Sequence, residues 1–108
     1  MERNLTALRK STKGDIYVWL RNAEIGNRFL QDAESEGFKI GNDNPTTKPY
    51  AMVMALHDGT ISYVGTNGMI RFGCGGSKGF HRVDYEKFIS GERKYALKER
   101  MGVKRIAG

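Results

Sequence analysis

Asp58-Gly59 stands between two runs of strand-forming residues, Tyr50 to His57 and Thr60 to Val64. An Asp-Gly pair tolerates positive φ at both central positions, which is what a tight hairpin turn between twisted strands requires. The chain therefore has to fold back on itself here. In the returning run Ile61 and Tyr63 alternate with Ser62 and Val64. A second turn signal at Thr66-Asn67-Gly68 leads into Met69-Ile70-Arg71-Phe72. The pattern predicts a third strand there, and a three-strand meander.

The flanks add a helix and further strands. Asp15 to Leu20 (Asp-Ile-Tyr-Val-Trp-Leu) is rich in β-branched and aromatic residues and predicts a strand buried on both faces. Asn22 caps a helix from Ala23 to Glu36, with Glu24 near its positive end. Ile25, Phe29 and Ala33, with Leu30 beside them, form its core stripe, and Gly37 stops it. Phe38 to Ile40 predicts a short strand. Gly41 to Pro49 holds both prolines and reads as a loop. Phe80 to Val83 predicts a last strand. Asp84 then caps a short helix, with Val83 and Phe88 as a hydrophobic staple and Gly91 as its end. Residues 92–101 extend as a basic helix or fray. The expected fold is α+β: an antiparallel sheet of about four to five strands, the main helix on one face, and a short C-terminal helix.

The 108 residues suit one domain, here residues 15–91 between a basic N-terminal arm, 1–14, and a basic C-terminal tail or helix, 92–108. The net charge of +6 is unevenly placed. The arm carries Arg3, Arg9, Lys10 and Lys13 against Glu2. The tail carries Arg93, Lys94, Lys98, Arg100, Lys104 and Arg105 against Glu92 and Glu99. The middle has eight basic and nine acidic residues. Basic ends around a neutral middle can reach for phosphates, although a solubilising surface explains the same charge. The apolar run Ala51 to Leu56 is too short to span a bilayer. The N-terminus lacks a secretion signal, and Cys74 is the one cysteine. A cytoplasmic protein is expected.

Six glycines between Gly65 and Gly79 form the most unusual segment. Their amides can converge on an anion, with Ser77 and Lys78 adding a hydroxyl and a charge. The segment matches neither the triphosphatase loop nor the dinucleotide fingerprint. If Arg71 and Arg82 lie on paired strands, they can clamp a phosphate, with His81 near by. Tyr17, Tyr50 and Tyr63 can stack on a base or belong to the core. The expected ligand site is Arg71, Ser77, Lys78, Arg82 and Tyr63. The expected nucleic-acid site is Arg9, Lys10, Lys13, Arg93, Lys94, Lys98, Arg100, Lys104 and Arg105.

Catalysis is not expected. Cys74, His81 and Asp84 are the only nucleophile, base and orienter near one another in sequence. His57 and His81 with a single cysteine make a poor metal set, and no cofactor is implied. Asp32, Glu34 and Glu36 belong to a helix exterior.

Three segments carry a resemblance: Arg28 to Phe38 (Arg-Phe-Leu-Gln-Asp-Ala-Glu-Ser-Glu-Gly-Phe), Ile61 to Gly65 (Ile-Ser-Tyr-Val-Gly), and Arg82 to Gly91 (Arg-Val-Asp-Tyr-Glu-Lys-Phe-Ile-Ser-Gly). Together they look like small accessory proteins carried by phages and integrative elements of Gram-positive bacteria. The resemblance covers roughly residues 15–95 and transfers no catalytic residue. It implies a host-defence antagonist. The expected function is non-catalytic holding of a nucleotide or other phosphorylated ligand. The alternatives are nucleic-acid binding through the basic ends, or inhibition of a CRISPR-type nuclease complex by protein contact. Exposed sheet edges also allow a homo-oligomer.

Overall fold

A computed structural model describes residues 3–74 and 79–97. Its centre is β1 (Asp15–Trp19), where Ile16 and Val18 are buried on one side and Tyr17 and Trp19 are half-buried on the other. β2 (Val53–Leu56) pairs antiparallel with β1, placing Ile16 opposite Leu56 and Val18 opposite Met54. β3 (Ile61–Tyr63) returns antiparallel along β2 after the Asp58-Gly59 turn. There Gly59 alone takes a positive φ, 78°, and Asp58 does not, so the turn is not the type with both central residues at positive φ. β4 (Phe80–Asp84) lies on the other side of β1 and runs parallel to it. The sheet order is β3-β2-β1-β4.

The α+β class stands, with four strands, a main helix and a short C-terminal helix. Residues 38–40 form isolated bridges, Lys39 with Thr60 and Ile40 with Asp43, in place of the expected strand. Two further features of the sheet and its connections depart from the sequence reading. The sheet is mixed, not wholly antiparallel, because β4 is parallel to β1. Residues 69–72 are not a strand: they fall in α3 (Gly65–Cys74). These two departures have one cause. β3 and β4 point the same way and are separated by two strands, so the chain between them has to cross the sheet, and a tight turn cannot do that. Gly68 lets α3 make this crossing in close contact, since a Cβ there would lie 2.6 Å from the Val64 Cβ and 3.4 Å from the Tyr17 hydroxyl.

The other sheet face carries most of the core. Ile16, Val18, Met54, Leu56 and Val83 pack with Ile25, Phe29, Leu30 and Ala33 of α2 (Ala23–Ser35). Asn22 caps α2 by accepting the Ile25 amide at 2.9 Å. α4 (Tyr85–Ile89) adds Tyr85 and Phe88 to this cluster. A short 3-10 turn, Pro45–Thr47, packs on α2, where Glu34 accepts the Thr46 amide and hydroxyl.

The N-terminal residues are not a free arm. Leu5–Ser11 forms α1, which buries Leu5 and Leu8 in the same core. Seven residues make a marginal helix alone. Here Asn4 accepts the Ala7 amide, and the Glu36 carboxylate accepts the Leu5 and Thr6 amides. α1 is thus capped by a side chain from the end of α2.

Candidate anion-binding cleft

The two basic ends of the described chain meet beside β4. One wall is the exit from α1. Gly14 has a φ of 94°, and a Cβ on it would come within 2.3 Å of the Gly79 carbonyl oxygen, so only glycine fits. The Asp15 amide donates to that same carbonyl at 2.8 Å. Arg9 donates from Nη2 to the Thr12 carbonyl at 2.7 Å and the Gly14 carbonyl at 2.8 Å. His81 of β4 donates from Nε2 to the Lys13 carbonyl at 2.9 Å. Residues 12–14 are therefore tied to β4 through their backbone, and the Lys13 side chain is left exposed.

The other wall is the segment after α4. Gly91, with a φ of 88°, turns the chain so that residues 95–97 run along the outer edge of β4. The Asp84 amide donates to Tyr95 O and the Leu97 amide to Arg82 O, each at 2.8 Å, around an antiparallel bridge between Val83 and Ala96. The Tyr95 ring stands edge-on to Phe88, centroids 5.0 Å apart.

Between these walls lies a cleft of about 1060 Å³. Leu8, Val83, Tyr95 and Ala96 give it apolar lining, and Lys13, His81, Lys87, Arg93 and Lys94 bring cationic or titratable side chains, with the buried Arg82 also in its wall. No carboxylate occurs among its described lining residues. Of the five lysine and arginine residues in its lining, Lys13, Lys87, Arg93 and Lys94 make no ion pair among the described residues. A smaller cavity of about 260 Å³ adjoins it, sharing Leu8, Ser11, Arg93 and Tyr95.

The expected ligand site does not assemble among the described residues. Arg82 is 1% exposed and donates to the Phe72 carbonyl at 2.8 Å and the Leu97 carbonyl at 3.1 Å. Its register position opposite Tyr17 turns it towards α3, into the protein, and desolvation there lowers its pKa. Arg71 belongs to α3, not to a paired strand. It binds Asp15 at 2.8 Å and lies 4.1 Å from the Phe80 ring centre. The Asp15 contact raises its pKa. Tyr63 is across the sheet on β3 and donates to Pro49 O. Tyr17 stacks edge-on against Phe80, and Tyr50 packs over Gly26. Ser77, Lys78, Lys98, Arg100, Lys104 and Arg105 lie outside the described residues.

Of the expected nucleic-acid residues, Lys13, Arg93 and Lys94 line the cleft. Lys10 is exposed on α1 and is not among the residues lining the cleft. Arg9 is occupied with backbone carbonyls and with Asp58, 3.6 Å away. Lys87 escaped the sequence reading, because its place in the cleft depends on residues 95–97 folding back along β4. Cys74, His81 and Asp84 do not converge: Cys74 is exposed at the end of α3, while Asp84 is buried and holds Arg21 at 2.8 Å. Among the described residues there is no cluster of side chains suited to a metal ion, and no helix is long and apolar enough to cross a membrane. Comparison with protein-family models gives no match, and searches of curated proteins and of solved structures give none either.

Proposed function

We propose that the protein is a non-catalytic binder of phosphate-bearing polyanions, and that the cleft between α1 and residues 93–96 holds a nucleic-acid backbone. One observation carries this reading: cations from both ends of the sequence line one cleft that has no carboxylate among its described lining residues. The character of those cations favours a strand over a nucleotide. A site built for one small ligand holds its polar groups in fixed positions. Here Lys13, Arg93 and Lys94 are exposed side chains on the rim, suited to tracking a repeating phosphate. The Tyr95 ring is engaged by Phe88 and Arg3, which leaves phosphate as the recognised chemistry. The setting proposed from the sequence resemblance is a phage-borne accessory protein that antagonises host defence.

The test is a titration of a short oligothymidylate at several salt concentrations. Four phosphate contacts on a single strand predict a log-log slope of about −3. A flat response, or tighter binding of a mononucleotide than of the oligomer, contradicts the strand reading.

A further inference from the structure

His81 occupies a distinctive place in this cleft. A carbonyl oxygen only accepts, so the 2.9 Å contact with Lys13 O fixes the proton on His81 Nε2. The tautomer is set by the fold, and Nδ1 is the ring atom left to change its proton. His81 is exposed and lines the cleft.

The charged groups around it come from every neighbouring element. The α1 side supplies Lys13 and, behind the Thr12 and Gly14 carbonyls, Arg9. Lys87 comes from α4, and Arg93, Lys94 and Tyr95 from the following segment. On β4 itself, Arg82 is engaged with Phe72 and Leu97, and Asp84 with Arg21. On β1, Asp15 pairs with Arg71 of α3. The two carboxylates among these groups are thus each held by an arginine, and the groups lining the cleft are cationic or phenolic.

Resting on the cleft reading above, we propose that polyanion binding is coupled to proton uptake at His81 Nδ1. A neutral imidazole with its proton on Nε2 presents a lone pair at Nδ1, which repels a phosphate oxygen. Protonation turns Nδ1 into a charged donor, and a charge-assisted hydrogen bond replaces the repulsion. Linkage makes the effect reciprocal: the proton tightens anion binding, and the bound anion holds the proton. Proton uptake at His81 therefore makes affinity rise as pH falls, and histidine as a residue type changes charge between about pH 5 and 8.

The experiment is calorimetric titration of an oligothymidylate at pH 6.5 in two buffers with different ionisation heats. The phosphodiesters of this probe keep their charge across the window, so any proton taken up belongs to the protein. The expected result is uptake of a fraction of a proton per complex, with binding roughly tenfold tighter near pH 5.5 than near pH 8. His81→Gln keeps an N–H for Lys13 O and cannot titrate; it abolishes the uptake and flattens the pH profile, whereas His57→Gln changes neither. Should His81→Gln unfold, the His81 ring-proton resonance of the wild-type protein reads the same coupling, by titrating at higher pH with the oligomer than without it. Binding without uptake, uptake that survives His81→Gln, or a ring titration unmoved by the oligomer overturns the role of His81 while leaving the cleft reading standing. Absence of binding at every pH overturns the cleft reading and this inference with it.

Discussion

The guanidinium carbon of Arg3 lies 4.9 Å from the centre of the Tyr95 ring. Arg3 also donates to the Phe88 carbonyl at 3.1 Å. Residues near the two ends of the described chain thus grip each other, beside the cleft that their neighbours line. Arg3→Ala is expected to cost about 1 kcal/mol of stability. Its specific signature is faster hydrogen exchange at the Asp84 and Leu97 amides, the two that bond residues 95–97 to β4. Unchanged exchange there contradicts a clasp.

Arg82 supplies a contrast between structure and binding. Its guanidinium joins β4 to the end of α3 and to Leu97 through carbonyl hydrogen bonds. Arg82→Met is expected to lower stability by about 3 kcal/mol in denaturant titration. Folded Arg82→Met protein is expected to bind oligothymidylate within about twofold of wild type, since a guanidinium committed to the Phe72 and Leu97 carbonyls and 1% exposed makes no direct contact with a phosphate in the cleft it helps to line.

Gly14 sets the cleft wall. Its φ of 94° and the 2.3 Å approach of a would-be Cβ to the Gly79 oxygen leave no unstrained place for a side chain. Gly14→Ala is expected to destabilise by about 2 kcal/mol. It also weakens oligonucleotide binding, because it moves Lys13 relative to β4. Gly59→Ala has a positive φ but open space around it; it is expected to lose stability and keep affinity.

Tyr85 predicts behaviour at alkaline pH. Burial, and then its hydrogen bond to Asp32, push its phenol well above the usual range. The unfolded chain releases this proton near pH 10, before the folded protein does. The stability that Tyr85 contributes is therefore complete below about pH 10 and declines as pH rises beyond it. Tyr85→Phe removes that part of the alkaline slope and costs about 1 kcal/mol at neutral pH. An unchanged slope on denaturant titration between pH 9 and pH 11 contradicts the assignment.

Local signals wrote much of this fold. Asn22 caps α2, Gly37 ends it at a φ of 89°, and Ile25, Phe29, Leu30 and Ala33 are buried as their spacing requires. Asp58-Gly59 turns a hairpin, and Asp84 caps α4. The misread elements depend on distant partners. α3 contains Gly65, Gly68 and Gly73, a poor helical sequence, and follows from the crossover that β3 and β4 impose. α1 needs Glu36, some thirty positions away, to cap it. The basic ends were legible as charge, but their meeting rests on the pairing of Val83 with Ala96 and on His81 reaching Lys13 O, which no local pattern encodes.

The central claim is that a located cleft, not overall positive charge, binds the polyanion. Two double variants with equal charge change test it most directly: Lys13→Glu with Lys94→Glu in the cleft, and Lys39→Glu with Lys48→Glu outside its described lining. Oligothymidylate affinity is measured by anisotropy at a fixed, moderate salt concentration. The cleft pair is predicted to lose on the order of a hundredfold, and the outside pair no more than about threefold. Equal losses in the two variants would show that net charge alone attracts the strand, and would contradict a binding site between α1 and residues 93–96.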